Sequence, residues 1–281
     1  LIYESQTKFA KAAKAFSKME DFKTDSQAPD AIQNSGFIYE ALDKYTDAIK
    51  QYEKYLKLFP KRPDCPNVAF RIGVLLENRG DKKSLKKAEK RYLAFTKKYK
   101  ESLSLVVEAF SRVGRMSYEA NAKRNRKTAL KHFASALEAY GRLKESGEKI
   151  GVAKFYAAQA AFYSTEYLYT DFTKIVLDKK VMKKMPLLKQ TLTDKAESLA
   201  ATEAAYQSIF DIYKEPHWNA GALFRIGLLY YEFANMLLDA PVPDNLPYEV
   251  EDEYRVVLEK TAAPVQEKSL TAFGVALQLA H

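Results

Sequence analysis

The sequence predicts an all-α protein built from stacked pairs of helices, and three observations predict it. Only ten Gly and ten Pro occur in 281 residues, too few turn-formers for a sheet-rich fold and suited to long helices with short connections. Apolar residues recur at helical spacing from the first segment onward, as in Phe9, Ala12, Ala13 and Phe16. The string Phe70-Arg71-Ile72-Gly73 returns letter for letter as Phe224-Arg225-Ile226-Gly227, the mark of an internal repeat.

In order along the chain, helices are expected near residues 3–22, 30–43, 45–59, 65–79, 83–99, 103–122, 127–145, 150–178, 187–214, 217–239, 248–261 and 265–280. The chain opens Leu1-Ile2-Tyr3-Glu4 with neither Met nor signal peptide, so a trimmed piece of a longer protein is expected. The first helix then reads as the second half of a pair whose first half was removed. Residues 1–149 form one block of repeats. A divergent pair of long helices follows over 150–215, joined through Lys179-Lys180-Val181-Met182-Lys183-Lys184-Met185-Pro186. Residues 216–281 hold a further repeat and capping helices. The clearest break is Asp239 to Pro247, where three prolines forbid helix continuation.

The repeat has more members than the identical string. Phe110-Ser111-Arg112-Val113-Gly114 is a close relative, and Gly36 sits in Asn34-Ser35-Gly36-Phe37-Ile38-Tyr39-Glu40. Each glycine is followed by an apolar or aromatic residue and then by a glutamate, Glu40, Glu77, Glu119 or Glu232. Gly36 to Gly73 spans 37 residues, Gly73 to Gly114 spans 41, and Gly114 to Gly227 spans 113. That last gap is about three periods, so the middle is expected to hold repeats that have lost the glycine.

These residues resemble the tetratricopeptide repeat (TPR) family, whose period is about 34 residues. Its ordered pattern of small residue, Tyr, Ala, large aromatic and Pro is met by Gly36, Tyr39, Ala48, Tyr52 and Pro60. The next copy supplies Gly73, Ala88, Tyr92 and Phe95, and the third Gly114, Ala129, Phe133 and Ala136, both with a longer inter-helix turn. The resemblance implies a TPR-like superhelical solenoid of about 11–12 helices. Glycine lets the second helix approach, the Ala receives it, and the aromatic fills the wedge toward the next repeat.

The resemblance also implies a partner-binding groove lined by the first helix of each pair. It carries Gln33, Phe37 and Glu40 onto that groove from one repeat, and Asn67, Phe70, Val74 and Glu77 from the next. Glu108, Ser111, Arg115 and Tyr118 come from the third, and Phe224, Leu228, Tyr231 and Glu232 from the late one. Phe70 and Phe224 read equally as packed core. Such a mixture of apolar, aromatic and acidic groups suits an amphipathic helix or an extended peptide. Chaperone-binding members clasp a C-terminal carboxylate with Lys and Asn. Here Gln33 and Phe37, Phe70 and Val74, and Ser111 and Arg115 stand at those places, so binding to that acidic tail is not expected.

Composition removes several function classes. Cys65 is the single cysteine, which excludes an internal disulfide and a thiolate cluster. No apolar run long enough to span a membrane exists. The three histidines, His132, His217 and His281, have no neighbours in a catalytic spacing. No phosphate-loop, dinucleotide, zinc-protease or nucleophile-elbow motif is present. Glu249, Glu251, Asp252 and Glu253 read as a charged first helical turn rather than a metal site. Neither catalysis nor a cofactor, metal or small-molecule substrate is expected.

Charge is distributed unevenly. Residues 61–150 hold 23 Lys and Arg against 10 Asp and Glu, net +13, while the rest holds 22 against 26, net −4. Lys82, Lys83, Lys86, Lys87, Lys90 and Arg91 fall largely on one helical face, and Lys123, Arg124, Arg126 and Lys127 crowd the next expected turn. This basic region reads as solvated surface, as a site for an acidic protein, or as a patch for nucleic acid or anionic lipid.

The segment from Pro241 to Lys268 is similar to the C-terminal region of large TPR proteins in bacterial envelope and gliding-motility assemblies. That similarity implies a periplasmic or cell-envelope scaffold, with the cytoplasm as the alternative. The expected function is a non-catalytic scaffold that holds another protein or peptide. The competing expectation is a polyanion-binding adaptor acting through residues 82–131.

Overall fold

A computed structural model describes residues 8–242 and 247–280. Residues 1–7, 243–246 and 281, including His281 and the middle of the Pro241–Pro247 break, lie outside the described residues. Among the described residues every regular element is a helix, and the chain forms two compact units, residues 1–153 and 154–281.

The first unit is a run of antiparallel pairs. It begins with α1 (Phe9–Ser17), which ends in a 3₁₀ turn, Lys18–Phe22. Then follow α2 (Ala28–Ala41) paired with α3 (Tyr45–Leu58), and α4 (Cys65–Asn78) paired with α5 (Lys82–Lys98). Asp81 starts α5 by accepting hydrogen bonds from the backbone N–H groups of Lys83 (3.1 Å) and Ser84 (3.0 Å). Ser35 ties α2 to α1 by donating to the Ala13 carbonyl at 2.8 Å inside the core.

The third pair differs from expectation. One helix, α6 (Leu103–Ser146), replaces two helices separated by a turn. It is broken at Asn121 alone, where the backbone is extended (φ −172°, ψ 96°). Asn121 Oδ1 accepts from the Arg124 N–H at 2.8 Å, capping the second arm. Asn125 Nδ2 donates to the Ser117 carbonyl at 3.0 Å, satisfying an acceptor that the break exposes. The basic residues expected in a turn, Lys123, Arg124, Arg126 and Lys127, therefore stand on the first turns of a helix. Gly147, with φ 74°, ends α6 in the left-handed conformation that glycine adopts at little cost.

The second unit holds α7 (Ala153–Thr173), a single turn α8 (Lys179–Met182), α9 (Met185–Tyr213), α10 (Pro216–Leu238) and α11 (Tyr248–Ala280). Within the expected linker, Lys179–Met182 is thus helical, with Asp178 capping it by accepting from the Val181 N–H at 2.8 Å. The two helices expected over 248–280 are one, with Pro264 inside. Proline lacks the N–H and normally stops a helix. Here its ring lies on the solvent side while Ala262 and Val265 pack against Ala234 and Leu237 of α10, which holds the helix together across the lost bond.

The all-α repeat fold of TPR type is visible in the packing of the pairs. A Cβ placed on Gly73 would lie 2.6 Å from the Tyr92 ring, and one on Gly227 would lie 2.6 Å from Phe273. The same clash, tighter still, faces Gly36 from Tyr52 and Gly114 from Phe133. In all four cases a ring of the second helix rests against the bare backbone of the first. Behind these contacts Ala48, Ala88, Ala129, Tyr52, Tyr92 and Phe133 are fully buried.

Candidate protein-binding surface

The glutamates of the groove pattern have a second occupation. In the first pair Tyr52 Oη donates to Glu40 Oε2 at 3.1 Å, and Arg71 of the next first helix donates to both oxygens of the same carboxylate, 3.0 Å from Nε to Oε2. In the second pair Tyr92 donates to Glu77 Oε2 at 2.9 Å. Arg112 Nη1 reaches the same oxygen at 3.0 Å and Arg115 Nη2 reaches Oε1 at 2.6 Å. Arg112 also holds Glu108 at 2.7 Å, and Arg115 holds Glu119 at 3.0 Å.

The second unit contains the same clasp. Tyr206 of α9 donates to Glu166 Oε1 at 2.6 Å, and Arg225 of α10 grips both oxygens, at 2.7 and 2.6 Å. Glu166 follows Phe162 by the interval that separates Glu40 from Gly36 and Glu77 from Gly73. So α7 and α9 are a repeat pair in which Phe replaces the glycine. The displaced volume is taken up next door: a Cβ on Gly221 of α10 would meet Phe162 at 3.3 Å. Phe162 itself packs against Trp218 and Tyr206 at ring separations of 5.2 and 5.7 Å.

A rule links these residues within the one chain. Where the ring on the glycine position is tyrosine (Tyr52, Tyr92, Tyr206), the matching first-helix residue is glutamate (Glu40, Glu77, Glu166), and an arginine from the next pair answers it (Arg71, Arg112, Arg225). Where the ring is phenylalanine (Phe133, Phe273), that residue is instead Tyr118 or Tyr231. A buried phenol needs an acceptor, and a carboxylate in a buried site needs a cation. A phenyl ring needs neither. The arginine of the repeated string is thus the third member of a clasp between successive pairs.

Burial and neighbouring carboxylates, in that order, push the phenols of Tyr92 and Tyr206 far above the ordinary tyrosine range, and Tyr52 behaves likewise beside Glu40. In the second unit Lys195 is 2% exposed, donates to the Phe172 and Ile175 carbonyls at 2.9 and 3.0 Å, and lies over the Phe172 ring. Burial lowers its pKa to about 8, with Glu232 opposing the shift. It satisfies carbonyls at the end of α7.

This geometry sorts the groove residues. Glu40 and Glu77 are committed to clasps, and Arg115 bridges two carboxylates. Glu108 and Ser111 are buried, so neither offers a free groove side chain. Phe70 is core, with ring separations of 5.2 Å to Tyr92 and 5.4 Å to Phe95. Its identical counterpart Phe224 is 49% exposed although it also touches Phe273, at 5.4 Å. The position of Phe95 is taken there by Ala276, too small to cover the ring. Phe37 and Tyr231 are likewise about half exposed, and Asn67 is exposed. Gln33, Val74, Tyr118, Leu228 and Glu232 are partly covered. Of the first-unit groove residues Phe37 is the most open apolar one; Phe224 and Tyr231 belong to the second unit.

Beside the second clasp a cleft of about 920 Å³ opens, with Leu85 and Met116 on its walls and Lys82, Lys86 and Glu119 at its edge. Lys82, Lys83, Lys86, Lys87 and Lys90 are exposed along α5 and make no ion pair among the described residues, whereas Arg91 pairs with Glu53. Lys123, Arg124 and Lys127 are exposed on α6, and Arg126 is partly covered. His132 stacks on Phe110 at 6.2 Å, and burial lowers its pKa. His217 packs edge-on to Trp218 at 4.8 Å. Among the described residues no three His, Cys, Asp or Glu side chains are grouped so as to hold a metal, and no helix is long and apolar enough to cross a membrane.

No family model matches the sequence, and no curated protein matches it at a significant level. Among solved structures it is similar to a tetratricopeptide repeat protein from Parabacteroides merdae, at 13% identity and a TM-score of 0.39 over 91% of this chain and 94% of that one. It is also similar to the C-terminal part of a TPR repeat-containing protein from Cytophaga hutchinsonii, at 14% identity and a TM-score of 0.36 over 89% and 96%. The helical repeat of this chain is read from its own four ring-on-glycine contacts and three clasps.

Proposed function

We propose that this protein is a non-catalytic scaffold that binds a peptide or partner domain on the first-helix faces of its repeats. The observation that carries this reading is the half-exposure of Phe37, Phe224 and Tyr231. These rings stand at groove positions of the repeat, outside the clasps that consume the neighbouring carboxylates. Exposed aromatic side chains on a rigid framework are what protein interfaces use as anchors. The supporting experiment is affinity capture from native lysate with wild-type bait and with a Phe37→Ala/Phe224→Ala/Tyr231→Ala bait, followed by direct titration of the recovered protein. A partner held at moderate salt by the wild type and lost by the variant, with helical content unchanged, supports the scaffold. A partner held equally by both baits overturns this choice of surface.

A second reading is favoured by the five unpaired lysines of α5: a polyanion adaptor acting through residues 82–131. It predicts affinity for nucleic acid or anionic lipid that falls steeply with salt as counterions are released. The proposed setting is a cell-envelope complex, supported by the similarity of residues 241–268 to envelope TPR proteins. Fractionation of the native host with an antibody to this chain tests it, and recovery from the cytosol alone would refute the setting.

A further inference from the structure

A groove of about 610 Å³ runs between α3 and α5, the second helices of successive pairs. Ile49, Leu76 and Ala94 give it an apolar floor, and its rim carries Arg79, Lys87, Lys90 and Arg91. The single carboxylate on it, Glu53, is already paired with Arg91. Arg79 donates to Thr46 Oγ1 at 3.2 Å and pairs with Asp81 at 3.7 Å. Lys87 and Lys90 are exposed and make no ion pair among the described residues. An apolar floor beneath two unneutralised lysines selects an amphipathic helix that carries both carboxylates and aliphatic side chains on one face.

A face of that chemistry exists on α11. Residues 249, 252, 253, 256 and 257 are spaced to lie along one stripe of the helix. The stripe reads Glu249, Asp252, Glu253, Val256, Val257, and all five are exposed, the two valines by 45% and 59%. The opposite face, with Tyr254 and Leu258 partly covered and Ala262 fully buried, is occupied by the packing of the second unit. Arg255, the one cation in this stretch, is bound to Glu251 at 3.0 Å and leaves the stripe purely acidic. The charge balance of the chain, +13 over residues 61–150 against −4 elsewhere, has the same polarity.

We propose that the α3–α5 groove docks the Glu249–Val257 stripe of a second copy of this chain. Lys87 and Lys90 meet the three carboxylates, and Val256 and Val257 settle on the Ile49–Leu76 floor. Groove and stripe are different surfaces, so the contact is head-to-tail. Each docked copy still presents one unused groove or stripe, and association extends as a chain unless its rotation closes a ring. A contact this small and this charged is weak and salt-sensitive.

The test is sedimentation velocity of the full chain over a wide concentration range, at ~0.05 M and ~0.5 M salt, which brackets a shortening of the screening length to a few Å. The expected result is a sedimentation coefficient that climbs with concentration at low salt and collapses to the monomer value at high salt. Lys87→Glu/Lys90→Glu and Glu249→Lys/Asp252→Lys/Glu253→Lys chains are each expected to stay monomeric, and their mixture to associate again. Val256→Ser/Val257→Ser, which keeps every charge, is expected to weaken association at least tenfold and so separates docking from charge attraction alone. All substituted positions are solvent-exposed, and circular dichroism checks that each variant is folded. A wild type that stays monomeric throughout overturns the proposal, as does association indifferent to both charge reversals, or capture by the groove of only an unrelated acidic protein.

Discussion

Replacing Glu77 by alanine strips the second clasp of its centre, and the structure sets the size of the loss. Tyr92 is fully buried, so its hydroxyl is left without its acceptor, at about 1–3 kcal/mol. Breaking a buried ion pair from one side costs about 3–5 kcal/mol when the partner is stranded. Here neither arginine is stranded, because Arg112 keeps Glu108 at 2.7 Å and Arg115 keeps Glu119 at 3.0 Å. The total is therefore expected at the low end, about 3 kcal/mol, most of it from the phenol. In the Glu77→Ala/Tyr92→Phe double variant the orphaned hydroxyl is gone, and about 1–2 kcal/mol should return. The chain already uses the phenyl solution at Phe133 and Phe273, where no glutamate answers the ring. Urea unfolding followed by far-ultraviolet circular dichroism measures this; with a slope of about 2 kcal/mol/M, the single variant shifts its midpoint by about 1.5 M. A double variant less stable than Glu77→Ala alone would refute the coupling between ring and carboxylate on which the clasp rests.

Three further outcomes are expected. Gly73→Ala should destabilise by about 1–3 kcal/mol through its clash with Tyr92, despite alanine's better helix propensity. Gly141→Ala, mid-helix with nothing near its Cβ, should stabilise by about 0.5–1 kcal/mol, so thermal melts of the two variants move in opposite directions. Lys195 has a folded pKa lowered to about 8, below the unfolded value of 10.5. The unfolded chain therefore binds the extra proton between those values, and stability rises with pH there by about 3 kcal/mol, a rise that Lys195→Met should abolish in denaturant titrations. Tyr52, Tyr92 and Tyr206 have the opposite sign, because their folded pKa values are raised. Their contribution is complete below about pH 10 and is lost above it. A spectrophotometric titration should show these tyrosines ionising only as the chain unfolds.

What the sequence revealed and what it hid divide along a physical line. The ring-on-glycine pairs Gly36–Tyr52, Gly73–Tyr92 and Gly114–Phe133 were legible because both members recur at nearly fixed spacing inside one helix pair. The late pair was half legible: Gly227 is conspicuous, but its ring, Phe273, lies beyond the Pro241–Pro247 break. The clasp arginines were hidden in plain view, since Arg71, Arg112 and Arg225 stand 31, 35 and 59 residues from the carboxylates they hold. The α7–α9 repeat was illegible from glycine because Phe162 occupies that place, and only the Glu166–Tyr206–Arg225 triad betrays it. At Asn121 two side-chain amides reduce an expected turn to one residue. At Pro264 packing on α10 overrides a local helix breaker.

The clasps also bear on where a partner can bind. A repeat that pairs tyrosine with glutamate spends a groove position on holding its neighbour, and the arginine that answers adds a second charge to that seam. The repeat that pairs Phe273 with Tyr231 does not. At Tyr231 the first-helix residue is exposed and the ring beneath it is apolar, so that face is open for contact without loosening the stack. Rigidity between pairs and availability on the groove are therefore alternatives at a single repeat position. The first two pairs and the α7–α9 pair take the first; the pair of Phe273 takes the second. Substituting Tyr231 should thus lower partner affinity while leaving the unfolding free energy within about 0.5 kcal/mol of wild type, whereas substituting Glu77 should lower that free energy first. A Tyr231→Ala chain as destabilised as Glu77→Ala would mean that this division of labour is wrong.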